Sequence, residues 1–205
     1  MCFSAPASFT ASAILATMGA ALISRVKEKH LLPLAMIPWF FAIQQASEGI
    51  VWLDLSNASN AKNIYLFFAY VFWPIWIPFS LYFAEHNPLR KQILAGSLGV
   101  GLVVSSVLSS VIVETKTIIY SNTIHYLEST SFDAYTNIGL IFYVLAALVP
   151  FFISSVPKIW GVGLLIALAG IATFLLERAN FVSLWCFWAA LISMSFFFVL
   201  YKKRT

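Results

Sequence analysis

QILAGSLGVGLVVSSVLSSVIV, residues 92–113, contains no aspartate, glutamate, lysine or arginine. Wound as an α-helix at 1.5 Å per residue it reaches about 33 Å, enough to cross the hydrocarbon core of a bilayer. A helix that is apolar on every side has no place on the surface of a soluble domain. Similar runs lie on both sides of it, at 6–24, 31–53 and 64–84 before it and at 138–156, 159–177 and 181–201 after it. The whole chain has the same character, with 61% hydrophobic and 10% charged residues. A soluble domain of this size needs about 25% charged residues to cover its surface. The sequence therefore predicts an all-α fold: a polytopic transmembrane helical bundle of about seven spans, forming one domain over residues 1–205 with the lipid bilayer as its solvent.

Basic residues set the expected orientation. Arg25, Lys27, Lys29, Arg90, Lys91, Lys158, Lys202, Lys203 and Arg204 fall on one side of such a bundle, and Lys62, Lys116 and Arg178 on the other. Short cytoplasmic loops carry the excess of Lys and Arg, so the N-terminus is expected outside and the C-terminus inside. The net charge of +4 is thereby given a topological role, and no nucleic-acid partner is expected. No Lys or Arg precedes Arg25, so the first run reads as a retained span rather than a signal peptide. One connection is long, about 114–137, and its Thr117–Tyr126 stretch resembles a small hairpin or cap.

Small residues recur every fourth position at Ser97, Gly101, Ser105 and Ser109, and at Ser8, Ser12, Ala16 and Ala20. Such stripes let helix backbones approach where lipid supplies no hydrophobic drive between helices. Pro74 and Pro78 each remove a backbone donor from the third span and should kink it.

Glu48 is the most informative residue. A carboxylate inside a span is costly and is by default a functional-site hypothesis. Gln44, Gln45 and Trp52 lie three or four residues away and share its helical face, which suits hydrogen bonding to a ligand, a proton or an ion. A polar clamp between helices is the alternative. Cys186 lies five residues into the last span, which starts on the outer side, where Cys2, Glu48, Glu177, Asn180, His125, Glu128 and Asp133 also fall. Cys2 and Cys186 could pair as a disulfide, could hold copper or zinc with Glu48 or His125, or could each pack as a small hydrophobe.

Several functions lose support. No span contains His, which speaks against bis-His haem and a three-His zinc hydrolase. No span contains a lysine for a retinal Schiff base. Most of the eight acidic residues lie in loops, which leaves a proton-pump relay thin. There is no glycine-rich phosphate loop, and no Ser-His-Asp set assembles on one side.

Three segments then carry a resemblance. They are Met1-Cys2-Phe3-Ser4-Ala5 with Ala7-Ser8-Phe9, Gln44 through Trp52, and Ser183-Leu184-Trp185-Cys186-Phe187-Trp188-Ala189-Ala190. Together they resemble a family of small, uncharacterised bacterial multi-span membrane proteins that open with Met-Cys-Phe-Ser-Ala. The resemblance implies architecture and a location in the bacterial inner membrane, and no mechanism. The leading expectation is an outer-half polar pocket that binds, senses or transports a small ligand or metal ion. Glu48, Gln44, Gln45, Trp52, Glu177 and Asn180 would contact the ligand, and Cys2, Cys186, Glu48 and His125 would be metal ligands. The alternatives are an intramembrane enzyme with thiol redox or metal-dependent chemistry, and a structural subunit of a membrane complex.

Overall fold

The computed structural model describes residues 4–54, 58–120, 123–127 and 133–201. Helix α1, Ala5–Arg25, starts at Ser4, whose hydroxyl accepts from the Ala7 N–H at 3.4 Å. A 3-10 turn at Lys29–Leu31 and the short α2, Leu32–Ala35, lead into α3, Ile37–Leu53. Helix α4, Ser59–Leu66, passes through a π-helical turn, Phe67–Phe72, into α5, Trp73–Ala84. Helix α6, Pro88–Glu114, is capped by Asn87, whose Oδ1 accepts from the N–H groups of Leu89 and Arg90. Strands β1, Lys116–Tyr120, and β2, Thr123–Leu127, pair antiparallel with Thr117 opposite Tyr126. Helices α7, Asp133–Ile153, α8, Ile159–Leu176, α9, Phe181–Ser193, and α10, Phe196–Tyr201, follow.

Among the described residues, five helical stretches are long and apolar enough to cross a membrane: Ala5–Arg25, Ser59–Ala84, Pro88–Glu114, Ile159–Leu176 and Phe181–Leu200. The other two apolar runs differ from simple spans. The run at 31–53 breaks at Met36, where α2 gives way to α3 before Pro38. The run at 138–156 outlasts α7, which ends at Ile153 and whose apolar part is Gly139–Ile153. Helix α4 also starts five residues earlier than hydropathy suggests, at Ser59 rather than 64, because Asn60 and Lys62 are helical although polar.

The helices meet where side chains are small. A Cβ on Gly19 would lie 2.7 Å from the Trp39 backbone nitrogen, and one on Gly49 would lie 2.8 Å from the Phe9 ring. The Ser12 hydroxyl donates to the Ala42 carbonyl at 2.8 Å, so α1 packs tightly along α3. The stripe expected on α1 is therefore displaced. Ser8, Leu15 and Gly19 are buried, while Ala20 is exposed. On α6 the expected stripe faces α5 over Gly101 and Ser105, which are buried, and leaves it by Ser109, which is exposed. The outward faces stay apolar to their ends, with Val113 79% and Leu176 79% exposed. Such faces suit lipid rather than water.

The core is aromatic. Phe41 stacks on Trp73 with ring centroids 3.9 Å apart, and Phe40, Phe72 and Trp76 pack edge and face around them. These contacts join α3 to α5 and hold the polar face of α3 toward α9.

Candidate functional site

Proline chemistry shapes the site. In the π-helical turn the Trp73 N–H reaches back five residues to the Phe68 carbonyl. The next donor in that register is position 74, facing the Ala69 carbonyl, and proline has no N–H. A buried carbonyl left unpaired is costly. Tyr143 of α7 fills the gap, its hydroxyl donating to the Ala69 carbonyl at 2.8 Å. A π-turn is a wide turn and frequently marks a functional position. Here it carries Ala69 and Tyr70 to the wall of a cavity of about 240 Å³. Leu108 of α6, Tyr143 of α7, and Trp185 and Cys186 of α9 form other walls, while Ile124 and Tyr126 of β2 roof it. Trp185 is fixed there by donating from Nε1 to the Ile166 carbonyl at 3.0 Å.

The floor of the cavity is polar. Ser183 lines it and donates from its hydroxyl to Glu48 Oε1 at 2.6 Å, joining α9 to α3. Glu48, Gln44 and Gln45 are each 0% exposed. Gln44 Oε1 accepts from Trp73 Nε1 at 2.8 Å, and the Ser47 hydroxyl donates to the Gln44 carbonyl at 2.7 Å. Glu48 Oε2 has no hydrogen-bond partner among the described residues, nor do the Nε2 and Oε1 atoms of Gln45. Gln45 lies close enough to bias the carboxylate electrostatically without a bond of hydrogen-bonding geometry. Hence α3 carries more hydrogen-bonding capacity at this level than the described residues use.

The expected residues divide into four groups. Glu48, Gln44, Gln45 and Cys186 come together, since Cys186 lies within electrostatic range of Glu48 and beside Gln44 and Tyr65. Asn180 lines the cavity, and its Nδ2 donates to Glu177 Oε2 at 3.3 Å on the rim. Trp52 packs elsewhere, against Val51, Ala58, Ala61 and Ile124. His125 sits on β2 opposite Ile118. Its neighbours Ile124 and Tyr126 face the cavity, so strand alternation turns His125 to the other side. Cys2 and Glu128 lie outside the described residues, as does the side chain of Asp133. Among the described residues no three His, Cys, Asp or Glu side chains gather as a metal site would require, and Cys186 is a free, buried thiol.

Three contributors were not singled out from sequence: Tyr143, Ser183 and Arg178. Arg178 lines the rim with its guanidinium 5.0 Å from the centre of the Phe174 ring. Tyr143 was signalled only indirectly, by Pro74 removing a donor that something else had to replace. A second, smaller cavity of about 50 Å³ shares Tyr143, Trp185 and Cys186 with the first and continues toward Phe151 and Phe196.

A separate carboxylate organises the opposite end. Glu85, buried between α5 and α6, accepts through Oε1 from the N–H groups of His86 and Asn87, at 3.0 and 2.9 Å. Ser155, between α7 and α8, donates its N–H to Oε2 at 2.6 Å and its hydroxyl to Oε1 at 2.7 Å. Burial alone would push the Glu85 carboxyl up. The donors from Asn87, Ser155 and His86 outweigh it and hold the carboxyl below its ordinary value. This is a tie between two connections.

The family described as a family of unknown function, DUF6629, matches residues 1–205. No curated protein and no solved structure matches the chain. The chain belongs to this family of unknown function.

Proposed function

We propose that this family member is a seven-span protein of the bacterial inner membrane, N-terminus outside, that binds a small ligand in the outer half of the bundle. The single observation that carries the reading is the cavity beneath the β-hairpin, whose floor is Ser183 hydrogen-bonded to Glu48. Ligand sites are concave, mostly apolar and furnished with a few placed polar groups, and this cavity has that character. Its carboxylate is fully buried and makes one hydrogen bond among the described residues, although a carboxylate accepts several. A clamp that served only to join α3 to α9 would need no cavity above it. Orientation is supported by the nine Lys and Arg on one side against three on the other. The two apolar runs at 31–53 and 138–156 then complete the count of seven, the first as a broken span.

Binding is tested by native mass spectrometry of the protein extracted from its host membrane, comparing wild type with Leu140→Trp. Leu140 lines the cavity and is half-buried, so the larger ring fills the space without touching Glu48. A bound small molecule in wild type that is lost in the variant supports the reading. An adduct that survives the substitution, or none in either protein, refutes it.

A further inference from the structure

The hydrogen-bond polarity of the cavity selects a class of ligand; this step rests on the binding reading above and says what the cavity takes. Tyr143 spends its hydroxyl hydrogen on the Ala69 carbonyl. A carbonyl can only accept, so the direction is fixed and the phenol oxygen can offer the cavity only lone pairs. Ser183 spends its hydrogen on Glu48. Asn180 uses one amide hydrogen on Glu177, and among the described residues its Oδ1 has no partner although the residue is 7% exposed and lines the cavity. Behind Ser183, Glu48 Oε2 likewise has no partner among the described residues and is fully buried. Tyr143, Ser183 and Asn180 Oδ1 therefore present acceptors, beside Tyr70 and Tyr126, whose hydroxyls can act either way, and a ligand that meets those three must donate.

Charge points the same way. Of the charged groups described at the cavity, Arg178 lines the rim, Glu177 bonds the lining residue Asn180, and Glu48 lies behind Ser183. Arg178 is exposed and held over the face of Phe174, so solvent screens it. Glu48 is buried, where a charge is felt most. The walls are aromatic, with Tyr70, Tyr126, Phe181 and Trp185 among them, and aromatic faces attract organic cations.

We propose that the cavity binds an amphipathic organic ammonium. The ammonium would lie toward Asn180 Oδ1, Ser183 and, one hydrogen bond further, the Glu48 carboxylate, with its apolar body against the aromatic walls. A donor-rich anion would find at this floor acceptors and a carboxylate, and would be repelled.

The test uses the full chain, purified in detergent, with three probes of matched shape at neutral pH: 2-phenylethylamine, 2-phenylethanol and 3-phenylpropionate. Binding is measured by titration calorimetry. The amine is expected to bind at least tenfold tighter than the alcohol, with the carboxylate weakest. In Glu48→Gln the preference of amine over alcohol should fall to within threefold. Equal binding of amine and alcohol, or tightest binding of the carboxylate, overturns the ammonium assignment. If that binding is also blocked by Leu140→Trp, the cavity reading stands while the ligand class falls. Failure of all three probes to bind overturns both. The probe series in wild type requires no variant, so it decides even where Glu48→Gln does not fold.

Discussion

Removing the Tyr143 hydroxyl tests whether the π-turn and the proline act as one device. Tyr143→Phe keeps the ring, which is buried against Val104 and Trp185, and deletes only the donor to the Ala69 carbonyl at 2.8 Å. A typical hydrogen bond within a membrane contributes about 0.6 kcal/mol, with an upper value of about 1.7, because the competing state also finds partners. Ala69 has no such alternative. The Trp73 N–H is already engaged with the Phe68 carbonyl, and Pro74 has nothing to donate. The loss should therefore fall at the upper end, about 1–2 kcal/mol, where desolvation of an orphaned buried acceptor dominates. Pro74→Ala supplies the missing N–H in the register that faces Ala69. In that background Tyr143→Phe should cost less than about 0.5 kcal/mol, a coupling of roughly 1 kcal/mol across the double-mutant cycle. Reversible unfolding in mixed micelles, followed by circular dichroism on the four proteins, gives the numbers. Equal costs of Tyr143→Phe in both backgrounds would show that Tyr143 does not replace the proline's absent donor, and the account of the site's wall would fail.

Further outcomes follow from other contacts. Gly101→Ala should destabilise by about 1–3 kcal/mol, because its Cβ would strike the Pro74 carbonyl. Gly99→Ala, whose Cβ meets nothing within 4 Å, should instead stabilise by about 0.5–1 kcal/mol; a comparison of the two melting temperatures checks the sign of each. Glu85 is held below its ordinary value of 4.5, so its stabilisation is fully present above pH 4.5 and is lost as pH falls through the lowered folded value. The melting-temperature difference between wild type and Glu85→Gln should shrink over that acid range, and a difference constant with pH would contradict the tie to Ser155. For orientation, in a Cys2→Ser background, Asn60→Cys should react with an impermeant maleimide on intact cells and Arg90→Cys only after permeabilisation; the reverse pattern would invert the topology.

Glu48 was legible because one carboxylate among apolar residues marks itself, and Gln44 and Gln45 were legible as the face it shares. The partner of that face was not. Ser183 lies 135 residues away, and nothing local encodes which helix will stand opposite. In a soluble bundle hydrophobic periodicity narrows that choice. In a membrane the lipid-facing and protein-facing sides are both apolar, so α6 and α8 read the same all round although only part of each is buried. The same ambiguity displaced the small-residue stripe on α1, since Ala20 faces outward and Gly19 meets Trp39. His125 shows a different limit. Counting spans leads to an expected place on the outer side, but whether it reaches the cavity depends on strand phase, which is fixed by the pairing of Thr117 with Tyr126. In the sequence Pro74 and Pro78 predict kinks, and the structure adds what a kink must settle. A proline does more than bend a helix: it leaves a particular carbonyl without a donor. Ala69 takes Tyr143 as its donor, and Gly101 lets α6 approach the Pro74 carbonyl, which Pro78 leaves unpaired four residues on. The cavity wall at Ala69 and Tyr143 is thus a consequence of one absent N–H group. A sequence reader can find such places by asking of every intramembrane proline which acceptor it orphans and which distant side chain could answer.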